Sequence, residues 1–219
     1  MLSSEIFIFI KEHQMLRKFL YDKSSSRNTH VCDLSRKSIM RGAVKNCQLQ
    51  IICVSSKGDL FRMLVFAKTQ TWQNRRLFII AEELRLSHWI EERLGAGIIR
   101  CKRDEIPLAI TILLDTINQK GVLQLNSSDI LNLFTQDENE LSMECVSGKK
   151  ELVLYSIFSF WNSNRLKNCM LLHIMGNITL QDVCDVYAII NRCDPNFRFS
   201  CTYDEKEQLS VFSLWRIKK

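Results

Sequence analysis

The fold is decided by the stretch Leu49-Gln50-Ile51-Ile52-Cys53-Val54-Ser55-Ser56-Lys57-Gly58-Asp59-Leu60. Its first six residues form a nearly continuous apolar run, and a helical pattern of apolar residues follows. A run that is apolar without alternation is typical of a strand in a parallel sheet that is covered on both faces. The stretch therefore predicts a strand, a turn and a helix of an α/β domain, with Asp59 as the helix cap.

The turn from Ser55 to Asp59 lies where an α/β nucleotide-binding domain carries its glycine-rich phosphate cradle. Backbone N–H groups at a helix N-terminus bind phosphate where glycines let the chain approach closely. Here only Gly58 remains, among two serines, a lysine and an aspartate whose negative charge would repel phosphate. The sequence therefore predicts a nucleotide-binding type of fold without its nucleotide site.

Apolar runs and helical patterns alternate along the whole chain. The predicted strands cover residues 6–10, 29–32, 49–54, 77–81, 98–101, 140–146, 169–175, 196–203 and 209–217. The main predicted helices cover residues 104–120, 149–161 and 179–193, and a short helix begins at Ser128 or Asp129. The prediction is an α/β fold with a Rossmann-like parallel-sheet domain at 1–103, a central helix at 104–120 and a smaller α+β C-terminal domain at 121–219.

Charge is unevenly distributed along the chain. Residues 1–110 contain 19 lysines and arginines against 11 acidic residues, whereas residues 111–219 contain 11 against 13. The basic half could contact nucleic acid or an acidic partner. Its charges are scattered and follow no nucleic-acid-binding motif, so a solvated basic surface is favoured.

The nine cysteines form no CxxC pair, and the four histidines are not spaced with them as zinc ligands would be. An odd number of cysteines without a secretory signal predicts reduced thiols in a cytoplasmic protein. No apolar run approaches the ~20 residues that a membrane-spanning helix needs. The sequence thus predicts a cytoplasmic protein without a metal site or a membrane span.

The order of these elements and several local strings resemble FtsZ and the wider tubulin superfamily. The C-terminal segment from Met170 to Val183 resembles the strand, glycine and helix start of FtsZ, and Phe197 to Leu214 resembles its final hairpin, including an Asp-Glu pair. Gly121 to Ile130 resembles the loop after the central helix. The resemblance implies an FtsZ/tubulin-like fold.

Departures from the family pattern imply that GTP binding and hydrolysis have been lost. The loop after the first strand, Lys11 to Gln14, has no glycine, and the family's GGGTGTG loop corresponds to Ser55–Asp59. In the family's N-x-D-x-x-D pattern, the Asn and the first Asp fall on Gln124 and Asn126, while Asp129 matches the last acid. Loss of a positioned acid–base group costs ~10²–10⁴-fold in rate. The resemblance therefore implies a pseudo-GTPase with no catalytic, cofactor-binding or metal-binding residues.

For the other candidate catalytic groups, a structural role is favoured over a catalytic one. His13 lies in the predicted first turn of a helix, His88 follows a helix-packing pattern, and His173 lies in an apolar strand. Asp182 and Asp185 are three residues apart without a partner cluster, which predicts solvated side chains.

The helix at 149–161 is apolar nearly all round, which is unusual for a helix that packs on one face of a sheet. Aromatic residues are enriched in interface cores, so four of them are the candidate partner surface: Tyr155, Phe158, Phe160 and Trp161. The alternative is a helix enclosed in its own core, and the sequence favours neither.

The resulting hypothesis is a non-enzymatic FtsZ/tubulin-like protein that works through protein–protein contacts. Its expected partner is FtsZ-like, a second copy, or a component of an unrelated assembly. Two alternatives stay open: a nucleic-acid-binding protein that uses the basic N-terminal half, and a weak nucleotide binder with altered loops.

Overall fold

A computed structural model describes residues 6–10, 29–33, 49–62, 76–86, 97–118, 125–134, 140–161, 168–190, 197–205 and 208–217. The chain divides into two compact units. Unit 1 comprises Met1–Thr111 and Phe134–Glu140, and unit 2 comprises Ile112–Leu133 and Leu141–Lys219. No helix within the described residues combines the length and the apolar character that crossing a membrane requires.

Unit 1 is built on a parallel sheet. Its described strands are β1 (Ile6–Ile10), β2 (Thr29–Asp33), β3 (Leu49–Val54), β4 (Arg76–Ala81) and β5 (Gly97–Cys101). They lie in the order β2-β1-β3-β4-β5, and each neighbouring pair is parallel. Every residue of β3 is buried. Because successive side chains point to opposite faces, both faces of this strand are covered, as the continuous apolar run predicts.

Two residues of β5, Gly97 and Arg100, make specific contacts within unit 1. A Cβ on Gly97 would lie 2.5 Å from the ring of Phe134, so glycine is required for the ring to pack there. The guanidinium of Arg100 donates hydrogen bonds to the carboxylate of Glu140 and to the carbonyl of Leu84. The ion pair joins β5 to Glu140 within unit 1.

The central helix begins close to its predicted start. A 3₁₀ turn at Arg103–Glu105 leads into α1 (Ile106–Asn118). The division between the two units falls within α1. Its buried hydroxyls are satisfied locally, because Thr111 and Thr116 donate to the carbonyls of Pro107 and Ile112, respectively.

Unit 2 combines a mixed sheet with helices. Its elements are α2 (Ser127–Leu131), β6 (Glu140–Lys149), α3 (Lys150–Trp161), β7 (Cys169–Gly176), α4 (Leu180–Ile190), β8 (Arg198–Tyr203) and β9 (Gln208–Arg216). The strand order is β6-β9-β7-β8. β9 is antiparallel to β6 and to β7, whereas β7 and β8 are parallel. The predicted α/β fold with a mixed C-terminal sheet is confirmed.

The prediction of a final hairpin is wrong, because β8 and β9 do not pair with each other. β7 lies between them, so the connection after Tyr203 must cross the end of β7. The backbone N–H of Asp204 donates to the carbonyl of Gly176 over 3.0 Å as the chain crosses. Gly176 has φ +142°, and a Cβ there would lie 2.6 Å from the carbonyl oxygen of Gln208. Only glycine fits this crossing.

α3 and α4 pack on the same face of the unit 2 sheet. Residues of both helices, of three strands and of the loop before α4 share one core: Val153, Ile157, Leu172, Ile174, Ile178, Val183, Val186, Cys201, Leu209 and Val211. The ammonium of Lys150, at the start of α3, lies 2.5 Å from the carboxylate of Asp182 in the first turn of α4. This ion pair joins the first turns of the two helices.

Replacing Gly176 with alanine should destabilise the protein by about 2–4 kcal/mol, because the new Cβ meets a backbone carbonyl in a conformation that only glycine tolerates. Gly58→Ala is the matched control. That residue is helical, and its Cβ would meet only Ser56 Oγ at 3.7 Å, so the free energy of unfolding should rise by about 0.5–1 kcal/mol. Urea unfolding of both variants measures these changes. Equal changes in the free energy of unfolding would contradict the requirement for glycine at position 176.

Candidate functional sites

The turn after β3 begins a helix, and its cap differs from the predicted one. Residues 57–62 are helical, and the N–H of Leu60 donates to the carbonyl of Ser56 over 3.0 Å. Ser56 is therefore the N-cap, and Asp59 lies three residues later. The N–H of Asp59 donates to Ser56 Oγ over 3.2 Å. Serine at the cap with an acid at the third position is the arrangement in which side chains satisfy the first helical N–H groups.

The carboxylate of Asp59 is held inside this turn. Only 1% of the residue is exposed. Its Oδ2 accepts hydrogen bonds from Ser56 Oγ over 2.7 Å and from Ser55 Oγ over 3.2 Å, and its Oδ1 lies 3.7 Å from Arg62 Nη1. The space beside the helix start is thus occupied by an anionic side chain and the hydroxyls that bind it.

Two buried cysteines, Cys53 and Cys101, lie near the carboxyl ends of β3 and β5. Acidic residues follow β4 and β5 at the same edge of the parallel sheet. Burial is the main reason that the pKa of the Cys101 thiol, at the end of β5, is raised to about 12. Nearby carboxylates raise it further: Glu105, Glu82, Glu83 and Asp104. Burial also raises the pKa of the Cys53 thiol. Both thiols stay protonated at neutral pH, so they are apolar packing groups rather than nucleophiles, as their positions in apolar runs predict.

The central-loop residues that match the family pattern form a helix cap. Asn126 is the N-cap of α2, and its side-chain oxygen accepts from the N–H of Asp129 over 2.9 Å. In return, the carboxylate of Asp129 accepts from the N–H of Asn126 over 2.9 Å. Both side chains therefore serve local backbone structure. Gln124 lies outside the described residues, as do Lys11 to Gln14 and the histidines at 13 and 88.

His173 is a buried sheet residue, as its apolar strand predicts. It is 1% exposed, and its Nδ1 lies 2.8 Å from Ser200 Oγ on the neighbouring strand. Burial lowers the pKa of the imidazole from 6.5 to about 4. The ring is neutral at pH 7 and inaccessible, which fits a structural role. Within the described residues, no group of three or more histidine, cysteine, aspartate or glutamate side chains is arranged to hold a metal ion.

The prediction that Asp182 is a solvated side chain is wrong. Its carboxylate accepts from the N–H of Thr179 over 2.7 Å and contacts Lys150. Burial alone would raise the pKa of this carboxyl, but the hydrogen bonds from Lys150 and Thr179, together with the Lys150 charge, lower it below its usual value. The sequence could not show this pairing, because Lys150 lies on another helix. Asp185 is exposed and accepts a hydrogen bond from Gln181.

The predicted partner surface lies on α3, which has two different sides. Val153 and Ile157 are buried in the unit 2 core, whereas Leu152 is 67% exposed and Tyr155 is 71% exposed. Ser156 and Ser159 donate to carbonyls of their own helix, so their hydroxyls are satisfied without a partner. The backbone of Phe158, Phe160 and Trp161 is part of α3, while their side chains lie outside the described residues. α3 therefore presents at least two apolar side chains to solvent.

α4 carries an apolar surface that the sequence analysis missed. Its buried stripe contains Val183 and Val186, but Leu180 and Tyr187 are also large, apolar and more than half exposed. The signal was present in the sequence, because residues 180, 184 and 187 follow helical spacing beside the buried stripe.

The buried imidazole should make the protein less stable in acid. Above pH 6.5 His173 is neutral in both states. Between pH 6.5 and about 4, the imidazole of His173 is protonated in the unfolded chain but stays neutral in the folded protein. This difference lowers the free energy of unfolding by up to about 3 kcal/mol. His173→Leu/Ser200→Ala replaces both partners with apolar groups and should remove this part of the pH dependence. Urea unfolding at pH 7 and pH 4.5 measures it, and an unchanged difference between the two pH values would contradict the assignment.

Comparisons with known proteins were made by sequence and by structure. No protein-family model matches the chain, and no curated protein sequence matches it. Solved structures do match. CetZ from Methanosaeta thermophila strain DSM 6194 is 9% identical and superposes with a TM-score of 0.61, covering 100% of this chain and 88% of that protein. CetZ2 from Haloferax volcanii, solved as a GTPγS-bound protofilament, is 9% identical with a TM-score of 0.62, covering 96% of this chain and 92% of that one.

At 9% identity, these structural matches show that the fold is shared and nothing more. CetZ proteins are members of the FtsZ/tubulin family, and the superposition covers nearly the whole chain. The sequence resemblance to FtsZ and the tubulins is thus confirmed as a remote structural relationship: the chain has an FtsZ/tubulin-like fold.

Proposed function

We propose that this chain is a non-enzymatic FtsZ/tubulin-like protein, a pseudo-GTPase, that acts in the cytoplasm through protein–protein contacts. The observation that carries the proposal is the buried carboxylate of Asp59 in the turn after β3. By resemblance, this turn corresponds to the loop that holds nucleotide phosphates in the family.

Electrostatics at this turn oppose phosphate binding. Two like charges about 4 Å apart repel by roughly 4 kcal/mol at an effective dielectric constant near 20, and the guanidinium of Arg62, 3.7 Å from Asp59 Oδ1, offsets part of this repulsion. The N–H of Asp59 is already directed at Ser56 Oγ, and the serine hydroxyls are directed at the carboxylate. The one glycine of the turn has room for a side chain and an ordinary backbone conformation, so no close backbone approach requires it. These features of the described turn support the proposal that it does not bind a phosphate.

The central loop supports the same interpretation. Where the family pattern has its first aspartate, this chain has Asn126, and an amide cannot accept a proton from an attacking water as a carboxylate can. Asp129, which matches the second acid, accepts a hydrogen bond from the backbone at the cap of α2. The substitution at Asn126 and the capping role of Asp129 support the proposed loss of the catalytic acid.

Exposed apolar side chains on α3 support a role in protein contacts. Leu152 and Tyr155 are both about two-thirds exposed, although their helix also supplies core residues. Contiguous apolar surface marks interaction sites, and tyrosine is enriched among the residues that carry binding energy. Proteins with this fold include a protofilament of CetZ2, which supports a filament-type partner, a component of another assembly, or self-association for this chain.

Nucleotide binding tests the first half of the proposal. Titration calorimetry with GTP and Mg²⁺ should detect no binding tighter than about 1 mM, because the turn presents a buried negative charge to the phosphates. Asp59→Asn removes that charge and should strengthen any residual binding. Micromolar affinity of the unaltered protein would overturn the pseudo-GTPase proposal and favour a nucleotide binder with altered loops.

A pull-down from a lysate of the source cells tests the second half. Leu152→Ala/Tyr155→Ala should reduce the recovery of a specific partner at least tenfold, since truncating two central apolar contacts typically costs more than about 1.4 kcal/mol. Phe61→Ala, in unit 1, is the matched control because its side chain is similarly exposed and belongs to no proposed contact surface. Equal recovery with the α3 variant and the unaltered protein would remove α3 as the partner surface.

A further inference from the structure

β8 forms an edge of the described sheet. It pairs with β7 on one side, and no described strand pairs with it on the other. An edge strand offers a row of backbone donors and acceptors to another chain unless proline, lysine or a bulge blocks it. The strand Arg198–Tyr203 contains neither proline nor lysine, and its pairing with β7 is regular from Leu171↔Arg198 to Gly176↔Tyr203. Its open edge is therefore competent to accept a further strand.

The exposed side of α4 lies toward this edge. The buried stripe of Val183 and Val186 packs in the core that contains Cys201 of β8. On one flank of that stripe is Asp182, which contacts Lys150 and so faces α3. At 100° per residue, Leu180 and Tyr187 fall on the opposite flank, away from α3 and on the β8 side. Together with the exposed Cys184 they form an apolar stripe at helical spacing, here called the α4 stripe.

The sequence of β8 is complementary to itself in the antiparallel direction. Pairing centred on Cys201 places Phe199 of each copy opposite Tyr203 of the other. The partly buried Phe199 packs on the unit 2 core, and Tyr203 is 54% exposed. The same register brings the cation of Arg198 to the acidic end of the other strand, at Asp204 and Glu205. Cross-strand aromatic pairs and opposite charges each stabilise a sheet, and a two-fold axis makes every pair occur twice.

We propose that two copies of this chain associate about a two-fold axis, with their β8 strands antiparallel and their α4 stripes in contact. An antiparallel pair related by such an axis keeps the same face of both sheets on the same side, so the two α4 helices must lie next to each other. The strand edge supplies backbone hydrogen bonds, and Leu180, Cys184 and Tyr187 supply the apolar contact. This rests on the proposed function in that it names one protein partner, a second copy, but it uses residues other than those of α3.

The oligomeric state of matched variants tests the pairing. Sedimentation velocity should show a dimer for the unaltered protein, and Tyr187→Glu should weaken dimerisation more than tenfold, because the symmetric interface receives the buried charge twice. Phe61→Glu is the control, since that side chain is at least as exposed but lies in unit 1, outside both proposed surfaces. It should leave the dimer intact. Because Tyr187 is half exposed, its variant should still fold, and an unchanged far-UV circular dichroism spectrum verifies this; the thermal midpoint itself depends on dimerisation.

Cross-linking gives an independent measurement of the α4 contact. Cys184 is exposed near the middle of α4, so a short bismaleimide should join two copies, and Cys184→Ser should abolish the cross-link. A monomer at about 0.1 mM, a dimer that survives Tyr187→Glu, a dimer lost equally in Phe61→Glu, or open-ended assemblies larger than a dimer would each overturn the two-fold pairing. None of these results affects the calorimetry or the pull-down by which the proposed function stands or fails.

Discussion

The crossing of the chain over the end of β7 determines the arrangement of unit 2. Gly176 permits it, because its φ of +142° and the 2.6 Å separation between a hypothetical Cβ and the Gln208 carbonyl leave no room for a side chain. The crossing sends β9 to the inner side of β7 and leaves β8 at the edge. Because β8 lies at the edge, its outer side has no partner among the described strands, and the exposed residues of α4 lie next to that edge.

The start of the helix after β3 shows how one structural need can be met in two ways. The first N–H groups of a helix lack partners within the helix, and they are satisfied by side chains or by a bound anion. In this chain the N–H of Asp59 donates to the hydroxyl oxygen of Ser56, and the hydroxyls of Ser55 and Ser56 donate to the carboxylate of Asp59. A turn stabilised by its own side chains has less need of a ligand, which connects a local capping arrangement to the proposed loss of GTP binding.

Both helices on the unit 2 sheet are apolar beyond what their packing requires. α3 buries Val153 and Ile157 but exposes Leu152 and Tyr155, and α4 buries Val183 while exposing Leu180 and Tyr187. A helix that covers one face of a sheet needs a single apolar stripe. The proposed protein–protein contacts use these exposed side chains, those of α3 and those of α4 separately.

The sequence by itself determined the elements whose signals are local. The continuous apolar run Leu49–Val54 predicted a strand that is covered on both faces, and the periodicity after Asp104 predicted the central helix, because burial and helical spacing depend on neighbouring residues. Only the tertiary structure decided which strands pair, since β8 and β9 are consecutive and yet separated by β7. It also decided the partners of Asp182 and the exposure of Tyr155, because these depend on residues distant in the chain. Long-range pairing of this kind leaves no periodic trace in one sequence.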